Sequence, residues 1–176
     1  MRVVSYDQQS GELVVDLPSF YRYVLFDVPV AIYLRLVNSV SKQEHFNEHL
    51  WGSKYEHCTH WPDLDSLLKY FEDYMEWDSP VSAHSIRADD DTPLHVACLW
   101  GDICAVDLLV SAGADVNARG DMGCSPLYVA VRFGHFRTVE RLLRAGADPD
   151  DRNEFGSTAR EEAMGSSNPE IRALFQ

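Results

Sequence analysis

From Asp91 to the carboxy terminus, apolar residues recur at helical spacing in pairs of short runs, and the paired runs themselves repeat. Thr92-Pro93-Leu94-His95 returns as Ser125-Pro126-Leu127-Tyr128, 33 residues later. The same shift carries Gly101 onto Gly134, Leu108-Leu109 onto Arg141-Leu142, and Gly113-Ala114-Asp115 onto Gly146-Ala147-Asp148; one further step takes Ser125 to Thr158. Thr92 and Ser125 are suited to cap a first helix, whose opening turn tolerates Pro93 and Pro126 because no N–H is needed there. Gly113 and Gly146 supply the permissive backbone that stops a second helix. Between these signals Val96, Ala97, Val106, Leu108 and Leu109, with Val129, Ala130, Val139 and Leu142, are expected to form the core between repeats. The third unit departs from the pattern, with Thr158-Ala159-Arg160 and Ser167 at the marker positions, and reads as a polar carboxy-terminal cap. Upstream, Leu64, Leu67, Leu68, Phe71, Tyr74 and Met75 make a helical stripe after Pro62-Asp63, a cap for the other end.

Before Pro62 the period changes. Val3 to Tyr6 and Glu12 to Leu17 read as strands joined by a turn over Asp7-Gln8-Gln9-Ser10-Gly11, and Phe20 to Phe26 as a third β-rich run. Pro29 then opens a helix to about Val40, and a shorter helical segment is expected around Phe46 to Leu50.

The repeat from about residue 84 to 176 resembles the ankyrin repeat, with its TPLH-to-GADVN pattern. The string from Val4-Ser5-Tyr6-Asp7 through Tyr21-Arg22-Tyr23, Val28-Pro29 and Phe46-Asn47 to Lys54-Tyr55 is similar to a KTSC domain, over about residues 1–58. The expected fold is a small α+β amino-terminal domain, a β-meander plus helices over residues 1–60, followed by an all-α ankyrin-repeat solenoid over 62–176. The ankyrin resemblance implies binding through hairpin tips and the concave face of the first helices. By position, the tips are Ala88 and Asp89, Asp121 and Met122, and Glu154 and Phe155, with Asp90 beside the first and Arg119 and Arg152 at the edges. The concave positions are Leu99 and Trp100, then Arg132 and Phe133. Trp100 and Phe133 are the expected hot spots, since large aromatics carry much interface energy; a ladder of the two rings stacked within the molecule is the competing reading.

Composition narrows the partner. A net charge of -13 and a pI near 4.8 oppose contact with a phosphate backbone and favour a basic partner. Residues 1–60 hold seven acids against five Lys or Arg, so most of the excess falls on the repeats. Cys58, Cys98, Cys104 and Cys124 show no CxxC spacing, which points to reduced thiols and a cytoplasmic location. No apolar run approaches the roughly 18 residues of a membrane span, and no export segment is expected.

Candidate chemistry is sparse. His45 and His49 stand four apart, with His57, Cys58 and His60 close behind, so a metal-dependent hydrolase is one alternative, although the segment is not HExxH. Tyr21 and Tyr23 alternate onto one sheet face and could stack bases; the KTSC resemblance likewise implies an RNA- or tRNA-linked adaptor. Core packing is the plainer reading of both tyrosines. Asp89-Asp90-Asp91 lacks the alternation of a calcium loop and reads as a solvated turn. With no nucleophile motif, the preferred expectation is a non-catalytic protein-binding module without cofactor. A small acidic protein of this kind resembles the immunity or antitoxin proteins that occlude a basic effector or toxin.

Overall fold

The computed structural model describes residues 2–16, 22–39, 41, 56–75, 77 and 80–176. Strands β1 (Arg2–Tyr6), β2 (Leu13–Asp16), β3 (Arg22–Leu25) and β4 (His57–Thr59) form one antiparallel sheet in the order β1-β2-β3-β4. The β1-β2 turn closes through Gly11 N–H donating to the Asp7 carbonyl (2.9 Å), while Asp7 Oδ1 accepts from Gln9 N–H (2.7 Å). Glycine is required at position 11: φ is +69°, and a Cβ would lie 3.0 Å from Asp27 Cα. Register Val15↔Tyr23 and Leu13↔Leu25 puts these four side chains on the buried face, where they meet Val28 and Leu36. Leu36 belongs to α1 (Val30–Asn38), which follows Pro29. Tyr6 ties this helix to the sheet, its ring stacked on Tyr33 at 4.3 Å and its hydroxyl donating to the Val28 carbonyl at 2.8 Å.

Strand β4 is not marked by any hydrophobic period, because three residues are too few to display one. It pairs with β3 as Tyr23↔Thr59 and Leu25↔His57. The expected helical segment at Phe46 to Leu50 lies outside the described residues.

Helix α2 (Leu64–Tyr74) starts where Asp63 accepts from Ser66 N–H at 2.8 Å. Then come three helix pairs: α3 (Pro93–Trp100) and α4 (Ile103–Ser111), α5 (Pro126–Phe133) and α6 (Phe136–Arg144), α7 (Ala159–Gly165) and α8 (Pro169–Ala173). The first helix of each pair is capped as the sequence pattern implies. Thr92 forms a capping box with His95, Ser125 Oγ accepts from Tyr128 N–H at 3.2 Å, and Thr158 Oγ1 accepts from Glu161 N–H at 3.1 Å. Gly113 and Gly146 follow the second helices with φ of +84° and +92°. Leu67 and Phe71 of α2 join Leu94, Val106, Leu109, Leu127, Val139, Leu142, Ile171 and Phe175 in one continuous core. Among the expected core residues, Leu108 and Val129 are only half-buried.

The sheet and the stack thus have separate hydrophobic cores. What joins them is polar and covalent. Cys58 of β4 and Cys104 of α4 form a disulfide, which corrects the expectation of four reduced thiols. Their separation of 46 residues, across two kinds of structure, leaves no spacing signal in the sequence. Cys98 and Cys124 remain free.

Candidate binding surface

The repeat places its hairpins in a row. Asp91 Oδ1 accepts from Asp121 N–H (3.1 Å), and Glu154 N–H donates to the Met122 carbonyl (3.0 Å), so each tip is tied to the next. Asp89, Asp90, Asp121, Met122, Glu154 and Phe155 are all exposed, Met122 by 50% and Phe155 by 72%. Two apolar side chains held in water on adjacent tips, among carboxylates, form a surface that a partner can desolvate. The arginines at the edges are engaged: Arg119 pairs with Asp151 at 3.1 Å and donates to the Arg152 carbonyl, and Arg152 pairs with Glu161 at 3.5 Å. Arg87 pairs with Asp89 at 3.2 Å. Among the described residues no cation stands within ion-pairing distance of Asp90, Asp121 or Glu154.

The concave positions differ from one another. Leu99 and Trp100 are half-buried. The indole of Trp100 stacks on Phe71 at 5.5 Å and meets Tyr70 edge-on at 6.1 Å, so it is covered by α2. Phe133 is 44% exposed and its ring lies parallel to His135 at 6.4 Å. Arg132 is exposed beside it, 3.9 Å from Glu162. Trp100 is therefore held within the molecule by a helix upstream, while Phe133 presents its ring to solvent.

In the first two helix pairs, the turn from the first helix into the second lies against the sheet domain. Asp102, 1% exposed, accepts from Thr59 N–H (3.1 Å), Trp61 Nε1–H (3.0 Å) and Ala105 N–H (3.2 Å), with His57 Nε2 at 3.7 Å. Glu56, also buried, accepts from Arg137 N–H (3.0 Å) and Thr138 N–H (2.7 Å). Burial outweighs these donors and holds its carboxyl above the ordinary glutamate value. Arg137 Nη1 reaches Asp27 at 2.6 Å, with its guanidinium 4.5 Å from the Phe26 ring centre. Buried His135 lies against Gly101, where a Cβ would meet its ring at 2.7 Å; burial pulls its pKa down to about 4. None of Glu56, Asp102, Arg137 or Asp27 was marked by the sequence pattern as functional. Position 135 offered one clue, a residue that is not a good N-cap at the start of a helix.

The candidate chemistry separates in the same way. Tyr23 lies in the sheet core, 8% exposed, so its ring offers no open face for a base, a correction to the stacking alternative. Tyr21, His45 and His49 lie outside the described residues. His57 is buried beside Asp102, and no group of three metal-ligating side chains occurs among the described residues. No described helix is long and apolar enough to cross a membrane.

Helix pairs linked by hairpins and stacked into a single core define a solenoid of the protein-binding class. The ankyrin-repeat family model matches residues 65–153 in three copies, and the chain belongs to that family. The match begins inside α2, so this helix stands in the first copy rather than only beside it. The KTSC domain model matches residues 1–55. No curated protein matches the chain.

Proposed function

We propose that the chain is a non-catalytic module that binds a basic protein and blocks it by occlusion, in the manner of an immunity protein or antitoxin facing a toxin or effector. The observation that carries this reading is the hairpin edge: Asp121 and Glu154, exposed and with no cation at ion-pairing distance among the described residues, flank exposed Met122 and Phe155. Carboxylates of this kind accelerate encounter with a positive surface and reject acidic competitors, while the apolar tips supply area to be buried. The concave residues Leu99, Trp100, Arg132 and Phe133 extend the surface inward, with Asp89 and Asp90 at one end and Arg119 at the edge. A basic protein encoded by a neighbouring gene is the expected partner, and the contact needs no cofactor.

The test is co-expression of the chain with that neighbouring product. Binding should weaken at least tenfold in the double variant Asp121→Arg, Glu154→Arg, with unchanged thermal unfolding, and cells should lose protection in parallel. Absence of both capture and protection with the wild-type chain would end this reading.

A further inference from the structure

Positions 100, 133 and 166 stand at the same point of successive repeats, at the end of each first helix, and are filled by Trp100, Phe133 and Ser166. Trp100 has an aromatic neighbour, Phe71, supplied by α2. Toward the carboxy-terminal unit Phe133 meets no equivalent ring, because Gly165 and Ser166 stand there and α7 stops one residue short of the length of α5. The gap is a groove of about 570 Å³ walled by Arg132, Phe133, Glu161, Glu162 and the Gly165–Asn168 turn. It shares Phe133, Gly134 and Asn168 with a second chamber of about 280 Å³ against the sheet domain, lined also by Phe26, Asp27, Glu56, Phe136 and Glu170. Among the described residues five carboxylates line the two chambers. Arg152 stands 3.5 Å from Glu161, Arg132 3.9 Å from Glu162, and Arg137 2.6 Å from Asp27 and 3.8 Å from Glu56. The first chamber's pairs are thus long, exposed ones that an incoming cation can replace, and among the described residues Glu170 has no cation at pairing distance.

The geometry points to this groove as the seat of an arginine side chain presented by an extended basic segment of the partner protein. An exposed aromatic ring with an open face beside carboxylates matches guanidinium on both counts. The planar cation stacks on the ring, and its fork of donors reaches Glu161 or Glu162. A lysine ammonium satisfies the charge but not the stacking. Neutral His135 behind Phe133 adds no opposing charge above its depressed pKa of about 4. The second chamber extends the same complementarity through Glu170, Asp27 being already paired with Arg137 at 2.6 Å. This inference rests on the proposal that the partner is basic. It adds the residue that is read and the place that reads it, formed jointly by the second repeat, the third unit and the sheet domain.

The probe is a fluorescein-labelled Arg-Gly-Arg-Gly-Arg-Gly peptide, with its lysine counterpart, titrated against the full chain by anisotropy in 0.15 M salt. The arginine peptide should bind at least fivefold more tightly than the lysine peptide. Phe133→Ala should weaken it at least tenfold, and so should Ser166→Trp, which closes the gap while keeping Phe133; circular dichroism reports whether each variant is folded. Equal binding of the two peptides, or wild-type affinity in folded Phe133→Ala, overturns the groove. If Asp121→Arg weakens binding while Phe133→Ala does not, the cation sits on the hairpin edge: the groove fails and the basic-partner reading stands. Failure of both peptides to bind overturns both.

Discussion

Helices α4 and α6 begin 33 residues apart at the same point of their repeats, yet their first turns are held in different ways. In α4 the residue at the cap is Asp102, which accepts from the third amide of its own helix and from Thr59 and Trp61 of the arriving chain. In α6 the cap is His135, which makes no such bond, and the second and third amides are instead met by Glu56, 81 and 82 residues away in sequence. A helix N-terminus leaves amides that must find acceptors, and a carboxylate there also meets the positive end of the helix dipole. The first repeat supplies its own acceptor and lends it to the sheet domain. The second borrows one. The sheet domain is therefore part of how the second repeat is completed, not an appendage to it.

The largest break in this comparison should come from Asp102→Ala. It strands two buried backbone donors and the half-buried Trp61 indole, each costing about 1–3 kcal/mol, so a loss of about 4 kcal/mol is expected in the urea unfolding free energy, with Asp102→Asn losing roughly half as much. His135 sharpens the comparison through pH. Its pKa falls from 6.5 to about 4 on folding, so the folded state binds fewer protons between those values. Stability is complete above pH 6.5 and drains away as pH falls toward 4, by roughly 3 kcal/mol at 1.36 per pKa unit. In His135→Asn that acid-side slope should be missing from the plot of stability against pH.

The smallest effect is expected at Glu56. Glu56→Gln keeps one acceptor oxygen for the two amides and should cost about 1 kcal/mol near neutrality. Its pH signature runs opposite to that of His135. Because the folded carboxyl is held above 4.5, its contribution is fully present below that value and shrinks as pH rises through the folded pKa. Thermal melts of wild type and variant should therefore diverge more at pH 4 than at pH 7; a gap that instead widens toward neutrality contradicts this account of Glu56.

The repeat could be read from the sequence because its determinants are local. Thr92, Ser125 and Thr158 cap helices that start one residue later, and Gly113 and Gly146 end helices just before them, so a window of a few residues contains both cause and effect. The tips follow from the same register. Trp100 was legible as a large ring at an inward position but not in its partner: Phe71 lies on a helix of the first copy, which lacks the TPLH and GAD markers of the later ones, and nothing local relates the two. Glu56 looked like one more acid on an acidic chain. Its role depends on β4 lying beside the first repeat, which in turn depends on Gly101 accepting the approach of His57, whose N–H donates to the Gly101 carbonyl at 2.9 Å. Such contacts carry no period, and composition cannot reveal them. The groove beside Phe133 was hidden for the opposite reason, since it is made by what Gly165 and Ser166 lack.

The bond between Cys58 and Cys104 has a topological consequence. It closes a ring of backbone that includes α2, α3 and the exposed stretch from His84 to Asp90. A protease that cuts once in that stretch opens the ring but does not divide the molecule. The sheet domain and the later repeats still travel together on a denaturing gel, and part only when a thiol reductant is added.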